Sequence, residues 1–277
     1  MELTNLPEGC ISTILSLTSP LDVCKSSLVS TSFLSAADSD IVWESFLPSD
    51  YHDIVKKSTT HLRFCSKKEL FRRLCDAVYL DCGRKMLKLE KLSGKKSYII
   101  SARDLDITWS NQSMYWNWVS LPESRFSEVA SLRTTCWLEI QSKLKTKMLS
   151  EKTLYAAFLI LKISDRAYGL DLTPSEVSVE VGNQITSSGT ACLRRREDSI
   201  KQQMELLMFG NRTHMLAVKG DGRVPVERDD GWSEIELGEF FVDGGSNEEV
   251  KMSLKEVKGQ HLKGGLIVEG IEIRPKY

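Results

Sequence analysis

The sequence predicts an α+β protein in which a small helical N-terminal module precedes an all-β antiparallel sandwich of the jelly-roll type. Helix starts and apolar stripes of helical period crowd the first 50 residues. Beyond about residue 95, short apolar-polar alternations are separated by turn residues, as in a two-layer antiparallel sheet. The charge shifts near position 50, since residues 1–50 carry 1 basic and 7 acidic side chains. We therefore expect a helical module over 1–50, a helical and hairpin linker over 51–95, and a β-sandwich over 96–277.

Length and composition exclude several classes of protein. The 277 residues are 41% hydrophobic and 27% charged with a net charge of -1, which is ordinary for a soluble globular protein. No apolar run is long enough for a transmembrane helix, and acidic Glu2 and Glu8 lie where a secretory signal would carry positive charge. The 7 cysteines include no Cys-x-x-Cys pair. We therefore expect reduced thiols, no membrane partner, and a cytoplasmic or nuclear location.

The middle of the chain is positively charged on balance, because the acidic excess lies at its two ends. Its basic residues are spread out and interleaved with acidic ones, and only Arg194-Arg195-Arg196 form a run. A run of three arginines is more typical of a solvated loop than of a nucleic-acid site. We therefore expect no nucleic-acid partner.

The N-terminal residues predict several short helices. Leu6-Pro7-Glu8 fits a helix start, because proline is tolerated in the first turn and glutamate is favourable against the helix dipole. Ser19-Pro20 fits an N-cap followed by proline at the first helical position. Further apolar positions of helical spacing are Ile11, Ile14, Leu15, Leu21, Cys24, Leu28, Val29, Phe33, Ala36, Ala37, Ile41, Val42, Trp43, Phe46 and Leu47. About 50 residues cannot bury this much apolar surface alone, so we expect a protein partner.

The order of these residues closely resembles an F-box over positions 6–47. The matching residues are Leu6, Pro7, Glu8, Ile11, Ile14, Leu15, Pro20, Leu21, Asp22, Leu28, Val29, Ser30, Phe33, Ile41, Val42 and Trp43. The resemblance implies a helical module that inserts its apolar face against the Skp adaptor of a cullin ubiquitin ligase. The adaptor contacts that it implies are Leu6, Pro7, Ile11, Ile14, Leu15, Pro20, Leu21, Leu28, Val29, Phe33 and Trp43. An autonomous helical hairpin domain is the alternative.

The linker is predicted to contain a helix and a β-hairpin. Ser66-Lys67-Lys68-Glu69 is a capping box, and Leu70 and Leu74 continue a helical stripe behind it. Leu87 and Leu89 then alternate with charged residues before a Ser93-Gly94 turn. The hairpin leads into the sheet domain.

Three of the 6 tryptophans lie between positions 103 and 118. An apolar-polar alternation over 103–109 predicts a half-buried strand, and the polar run 110–113 breaks it before a second alternation. The apolar positions are Leu105, Ile107 and Trp109 in the first segment and Met114, Trp116 and Trp118 in the second. The residues alone favour a tryptophan-rich core over a ligand-binding surface.

More strands are predicted towards the C-terminus. The stretch from Leu132 to Leu144 has the cleanest alternation, and Tyr155 to Ile163 is almost continuously apolar, as in a strand covered on both faces. Other strands are predicted at Val177, Val179 and Val181, at Ile235, Leu237 and Phe241, at Val250, Met252 and Leu254, and at Leu266, Val268, Ile271 and Ile273. Much of 182–226 has a weak pattern, and Ile200 to Phe209 fits a helix as well as a strand.

The region 97–275 resembles the Nictaba-like phloem lectin family. The matching blocks are Ser101-Ala102-Arg103-Asp104, Ile107-Thr108-Trp109, Tyr115-Trp116-Asn117-Trp118, Trp137-Leu138-Glu139-Ile140, Asp230-Gly231-Trp232, Leu237-Gly238-Glu239-Phe240-Phe241 and Ile271-Glu272-Ile273-Arg274-Pro275. The resemblance implies a carbohydrate site with rings from Trp109 and Trp116 and carboxylates from Glu249 and Glu256. Residues seven apart point to opposite faces of one uninterrupted strand, so one glutamate must lie beyond a strand end or at a bulge. The resemblance leaves Trp118, Trp137 and Trp232 for the core or its rim.

No catalytic or metal-binding constellation is recognisable. The four histidines, at positions 52, 61, 214 and 261, lack metal-ligand spacing, and the settings of Cys10, Cys24 and Cys136 favour packing. We expect no enzymatic activity, no metal and no cofactor.

Together, the resemblances imply a substrate-receptor subunit of an Skp-cullin-F-box ubiquitin ligase. Its lectin-like domain would capture a glycoprotein or another protein target for ubiquitination and proteasomal degradation. The alternative is a soluble nucleocytoplasmic stress-type lectin that binds N-acetylglucosamine-containing glycans and has no ligase role. Peptide recognition by the same tryptophans also remains open.

Overall fold

The computed structural model describes residues 6–193, 222–245 and 247–277, and the chain divides into two compact units, Met1–Tyr98 and Ile99–Tyr277. The N-terminal unit is mainly helical, and the C-terminal unit is built from antiparallel strands. The predicted α+β class is therefore confirmed. Arg194 to Arg196 and Ile200 to Phe209 lie outside the described residues. Among the described residues, no helix is long and apolar enough to cross a membrane.

Six α-helices lie in the described part of the N-terminal unit. They are α1 (Glu8–Ser16), α2 (Pro20–Ser26), α3 (Thr31–Asp38), α4 (Asp40–Phe46), α5 (Tyr51–Lys57) and α6 (Lys67–Cys75). The Ser19 side chain accepts a hydrogen bond from the Asp22 backbone N–H, and Pro20 begins α2, as predicted. Ser66 caps α6 through the Glu69 N–H. Local capping chemistry therefore sets these helix starts.

The helical core is centred on α1 and α4. Ile11, Leu15 and Val42 are at most 2% exposed. Trp43 donates its indole N–H to the Ala37 carbonyl at 2.6 Å, and its ring centroid lies 5.3 Å from that of Phe71. These contacts join α3, α4 and α6 into one packed group.

Two expectations for the N-terminal residues are wrong. Val29 was expected at a helical position, but Ser30 caps α3 through the Phe33 N–H, so Val29 lies exposed in the preceding turn. Cys10 and Cys24 were expected to pack, yet both are exposed, as is Cys136 in the C-terminal unit. Ile11 and Val23, the apolar neighbours of Cys10 and Cys24, face the core, and the two thiols do not.

After α6 come the predicted hairpin strands. Strands β1 (Val78–Leu80), β2 (Lys85–Leu89) and β3 (Lys96–Ser101) follow in order. The turn between β2 and β3 is closed by hydrogen bonds from the Glu90 N–H to the Lys95 carbonyl at 2.9 Å and from the Gly94 N–H to the Glu90 carbonyl at 2.8 Å. Gly94 has a φ of 71°, the left-handed conformation that favours glycine at such turns.

The C-terminal unit is a two-sheet sandwich. Its further strands are β4 (Asp106–Ile107), β5 (Trp116–Val119), β6 (Val129–Leu132), β7 (Leu138–Lys145), β8 (Thr153–Tyr168), β9 (Ser175–Val181), β10 (Gln184–Ala191), β11 (Val226–Glu227), β12 (Ser233–Val242), β13 (Glu249–Glu256) and β14 (Gly264–Pro275). In the first sheet β8 lies between β12 and β14, and β6 joins β14 to β5. The second sheet has the order β10-β9-β13-β7-β4. Contacts of β12 with β9, β10 and β13 join the two layers.

The sandwich core follows the predicted strands closely in places. Strand β8 contains the predicted Tyr155 to Ile163, and Leu159, Ile160 and Leu161 are fully buried. The alternating apolar residues of β9, β13 and β14 are buried too. They are Val177, Val179, Val250, Met252, Leu254, Leu266, Val268, Ile271 and Ile273.

The stretch from Leu132 to Leu144 is not one strand. Strand β6 ends at Leu132 in the first sheet, and β7 begins at Leu138 in the second. Between them, the Thr135 hydroxyl accepts from the Trp137 N–H at 3.0 Å and donates to the Trp137 carbonyl at 2.9 Å. This local bonding turns the chain from one layer to the other, although the alternation continues through the crossing.

The face assigned to Phe241 was also wrong. We expected it to lie on the buried face of β12 with Leu237, but Phe241 is 53% exposed and Phe240 is buried in its place. The pairing of β12 with β8 shifts register between Glu236 and Gly238. A bulge adds one residue, and one residue is enough to reverse the face of every later side chain.

Candidate functional site

The candidate site begins where the chain leaves β4. We expected a strand from Arg103 to Trp109, but the strand is limited to Asp106–Ile107. Trp109 has a φ of 60°, a left-handed conformation that is rare for a bulky residue. Its ring is 38% exposed and lies against that of Tyr115, with 4.9 Å between centroids. Trp109 therefore projects from a turn, and its strained backbone is of a kind that clusters at functional sites.

Hydrogen bonds hold the Trp109 turn in place. The Gln112 N–H donates to the Trp109 carbonyl at 2.9 Å, and the Tyr115 N–H donates to the Gln112 carbonyl at 2.9 Å. The Trp116 indole N–H donates to the Thr108 carbonyl at 3.2 Å. Trp116 is only 2% exposed. It therefore supports the turn and offers no ring face to a ligand, in contrast to the role implied by the family resemblance.

Glu139 joins the Trp109 turn to a second exposed ring. Its Oε2 atom accepts from the Trp137 indole N–H at 3.0 Å and lies 3.5 Å from the Thr108 hydroxyl. Its Oε1 atom lies 3.0 Å from the Lys255 Nζ and accepts from the Gln141 side-chain amide. Strand pairing sets this arrangement, because Glu139 pairs with Lys255 across β7 and β13. Trp137 is 42% exposed. The site thus presents the Trp137 ring on a fully bonded carboxylate, which Thr108 links to the turn that carries the exposed Trp109 ring.

Charge and hydrogen bonds together determine the ionisation of Glu139. Burial raises the pKa of its carboxyl, but hydrogen bonds from Trp137, Lys255 and Gln141 outweigh burial, so the pKa lies below its usual value. A lowered carboxyl pKa stabilises the folded state above the unfolded pKa of about 4.3, and this contribution is lost as the pH falls through the lower folded value. Glu139 is therefore ionised at neutral pH and keeps its four donors.

Replacing Glu139 by glutamine is expected to loosen the Trp137 ring. The amide has one acceptor oxygen for four donors, and its NH₂ group would face the Trp137 or Lys255 donor. We expect the indole N–H resonance of Trp137 to shift and acrylamide quenching of its fluorescence to rise at pH 7, and wild type to show the same changes only well below pH 4.3. Glu249→Gln, at the exposed Lys143–Glu249 pair between the same two strands, β7 and β13, is the control. An unchanged Trp137 resonance in Glu139→Gln would contradict this role.

The two glutamates of the implied carbohydrate site are not brought together. They lie at opposite ends of β13, which pairs with β7 without a register shift from Glu249 to Glu256. Seven residues of extended strand separate their backbones by about 23 Å and direct their side chains to opposite faces. No bulge or strand end in β13 removes this separation.

Each of these glutamates has its own cationic partner. Glu249 is half exposed and lies 2.9 Å from the Lys143 Nζ. Glu256 is buried, accepts from the Gly259 N–H at 2.9 Å, and pairs with the buried Lys263. Of the four implied residues, only Trp109 presents an exposed ring, on the turn that Thr108 links to Glu139, and a carbohydrate role for the set remains a prediction.

Sequence reasoning missed Trp137 and Glu139 as site residues. It assigned Trp137 to the core or its rim, and it did not single out Glu139. Their spacing held the necessary information, since residues two apart lie on the same face of a strand. Once β7 begins at Leu138, Trp137 and Glu139 fall on the face opposite the buried Leu138 and Ile140. Within the described residues, no group of three His, Cys, Asp or Glu side chains is placed to hold a metal ion.

The predicted adaptor-binding residues divide by exposure. Ile11, Leu15, Pro20 and Trp43 are buried, and Leu6 and Phe33 are partly buried. Pro7, Ile14, Leu21, Leu28 and Val29 are exposed. The buried ones hold the helices together, and the exposed ones are free to contact another protein.

Comparisons with known proteins cover both units. The Phloem protein 2 family model matches residues 95–275, and the F-box domain model matches residues 3–45. F-box protein PP2-B15 of Arabidopsis thaliana is 52% identical over 282 residues, which cover 98% of this chain and 96% of that protein. F-box protein VBF of the same plant is 51% identical, with 98% and 99% covered, and F-box protein PP2-B13 is 51% identical, with 98% of each covered.

One solved structure, a family GH115 4-O-methyl-α-glucuronidase, covers 65% of this chain and 17% of its own with a TM-score of 0.34 and 8% identity. That likeness is too weak to support any inference. The family matches confirm both resemblances found in the sequence. The chain belongs to the family of F-box proteins that carry a C-terminal phloem protein 2 domain.

Proposed function

We propose that this protein is the substrate-receptor subunit of an Skp-cullin-F-box ubiquitin ligase. The N-terminal unit docks the Skp-type adaptor, and the C-terminal unit captures a protein target for ubiquitination and proteasomal degradation. The protein positions its target and performs no chemistry itself. We place this activity in the cytoplasm, the nucleus or both.

Exposed apolar side chains of the helical region carry this proposal. Seven large ones are 39–87% exposed: Ile14, Leu17, Leu21, Leu28, Val29, Leu34 and Ile41. Soluble proteins seldom leave so many large apolar side chains uncovered in so short a segment unless a partner covers them. All seven lie within residues 3–45, the range of the F-box match. An adaptor that receives the apolar face of an F-box would cover them.

A double variant, Leu28→Asp with Val29→Asp, tests the adaptor contact. Leu28 is 87% exposed and Val29 is 65% exposed, so neither contributes to the helical core. Two buried interface residues contribute about 2 kcal/mol or more each when they are hot spots, so we expect adaptor affinity to fall at least about 100-fold. The measurement is titration calorimetry of the full chain with a purified plant Skp adaptor.

Leu92→Asp is the matched control for that experiment. Leu92 is 57% exposed in the turn between β2 and β3, outside the F-box match. The Leu92→Asp variant should therefore bind the adaptor with wild-type affinity. Leu15→Asp is unsuitable, because Leu15 is 2% exposed and its replacement would unfold α1. Wild-type affinity in the Leu28 and Val29 double variant would refute the proposed docking face.

A soluble lectin without a ligase role is the second candidate. The exposed rings of Trp109 and Trp137 favour it, because sugar rings stack on exposed aromatic faces. This candidate predicts that wild-type protein binds N-acetylglucosamine-containing glycans on an array and does not bind the adaptor. Adaptor binding by wild type would eliminate it.

A further inference from the structure

We propose that the C-terminal unit docks an apolar stretch of a protein target on one loop-built end of its sandwich. This inference rests on the proposed function, because it names the class of target that the unit captures. The surface consists of four segments, residues 109–115, 133–137, 168–169 and 261–264, which we call the loop platform. Strands β5, β7 and β14 begin at this end, and β6 and β8 end there.

Hydrogen bonds to backbone carbonyls join the first three segments of the loop platform. The Arg133 N–H donates to the Tyr115 carbonyl at 2.8 Å, and the Arg133 guanidinium donates to the Ser113 carbonyl at 2.9 Å. The Tyr168 hydroxyl donates to the Arg133 carbonyl at 3.1 Å. Arg133 thus links the Trp109 turn to the end of β8.

The fourth segment is held on both sides. Thr135 and Lys263 exchange backbone hydrogen bonds of 2.9 and 2.8 Å, and the His261 Nε2 lies 3.0 Å from the Gly169 carbonyl oxygen. The buried Lys263 Nζ donates to the Cys136 carbonyl at 2.8 Å. Gly264 allows the close approach, since a Cβ there would lie 2.4 Å from the Arg133 carbonyl oxygen. A platform fixed in this way loses little conformational freedom when it binds.

The loop platform carries large apolar side chains that face solvent. Trp109 is 38% exposed, Met114 68%, Trp137 42%, Tyr168 44% and Leu262 60%. Aromatic residues and methionine are enriched at protein interfaces, where they act as anchors. The set includes unbranched and branched aliphatic chains as well as rings, and a surface of this composition fits aliphatic and aromatic side chains of a polypeptide.

The carboxylates near the platform distinguish a polypeptide from a sugar. A sugar needs acceptors for its hydroxyl hydrogens in addition to rings. Glu139 already accepts from four donors of the protein itself. Glu256 is buried with Lys263, and Glu249 lies about 23 Å from Glu256 along β13. The platform therefore offers apolar area with its nearby carboxylates already bonded, which matches an apolar peptide segment.

Selection from a phage-displayed random peptide library against the full chain tests this inference. We expect enrichment of peptides with aromatic and aliphatic residues. A synthetic peptide of the enriched sequence, measured by fluorescence polarisation, should bind Trp137→Ala and Leu262→Asp at least about 10-fold more weakly than wild type. Both side chains are substantially exposed, so the variants should fold, which circular dichroism checks. Phe241→Asp, 53% exposed on β12 and outside the platform, is the matched control and should bind like wild type.

Three results would overturn the inference. The first is that no peptide is enriched, and the second is that the enriched peptides bind Trp137→Ala and Leu262→Asp as tightly as wild type. The third is that wild type binds N-acetylglucosamine trimer and Trp137→Ala does not. The last result would assign the surface to glycans. Adaptor affinity measured on the same variants should equal that of wild type, because the substitutions lie outside residues 3–45. Failure of peptide binding with intact adaptor binding would thus count against the target class and not against the ligase role.

Discussion

Replacing Glu272 by alanine is expected to lower the free energy of unfolding of the C-terminal unit by about 3–5 kcal/mol. Glu272 lies on β14 with a side chain only 1% exposed, and it accepts hydrogen bonds from Arg228 at 2.7 Å and from Arg274 at 3.2 Å. Its removal leaves two partly buried guanidinium groups with Glu234 as the nearest shared carboxylate.

The charge balance around Arg228 explains the size of this effect. Burial would lower the pKa of its guanidinium, but the carboxylates of Glu272, Glu234 and Asp230 outweigh burial and raise it. The arginine thus stays charged in the variant, and a buried charge that loses one of its carboxylate partners costs more than the pair itself contributes. Arg274 also stays charged, because Glu234 and Glu272 raise the pKa of its guanidinium.

Urea unfolding followed by tryptophan fluorescence measures the loss, since five of the 6 tryptophans lie in the C-terminal unit. Asp243→Ala is the matched control, because the Lys152–Asp243 pair is more than 70% exposed on both sides and should contribute nothing measurable. A Glu272→Ala variant within about 1 kcal/mol of wild type would contradict the role of this buried carboxylate.

The helical module was predictable because its signals are local. The Ser19 cap, Pro20 at the helix start and the Ser66 cap act within three residues of themselves, and each forms as the sequence predicts. The apolar stripes then indicate which residues are buried, except where a cap shortens a helix, as Ser30 does before Val29. Helical periodicity does not distinguish exposed apolar residues such as Leu28 from buried apolar residues of the core.

The sandwich was less predictable because its faces depend on distant pairing. One extra residue in β12 moves Phe241 to solvent, and a hydroxyl at Thr135 divides an apparent strand between two sheets. For the site, the resemblance pointed to Trp109, whose side chain the structure places 38% exposed on a turn. It could not show that an unbroken β13 separates Glu249 from Glu256, because strand continuity is a property of the whole sheet.

Replacement by alanine is expected to destabilise the protein far more at Trp116 than at Trp109, although the family resemblance gives both residues the same role. Trp116 is 2% exposed and holds the Thr108 carbonyl, so Trp116→Ala should lower the free energy of unfolding by about 3–5 kcal/mol. Trp109 is 38% exposed, so Trp109→Ala should lower it by less than about 1 kcal/mol. Urea unfolding of both variants, followed by circular dichroism, measures the difference.

Loss of ligand binding in Trp116→Ala therefore would not identify Trp116 as a contact residue. Trp116→Phe separates the two roles, because it keeps a buried six-membered ring and removes the pyrrole part of the indole with its hydrogen bond, at a smaller cost than alanine. If Trp116→Phe keeps wild-type affinity for a bound peptide or glycan while Trp109→Ala loses it, Trp116 acts by supporting the turn. Equal stability of Trp116→Ala and Trp109→Ala would instead mean that the Trp116 ring is not part of the core, and the sugar-stacking role would regain its physical basis.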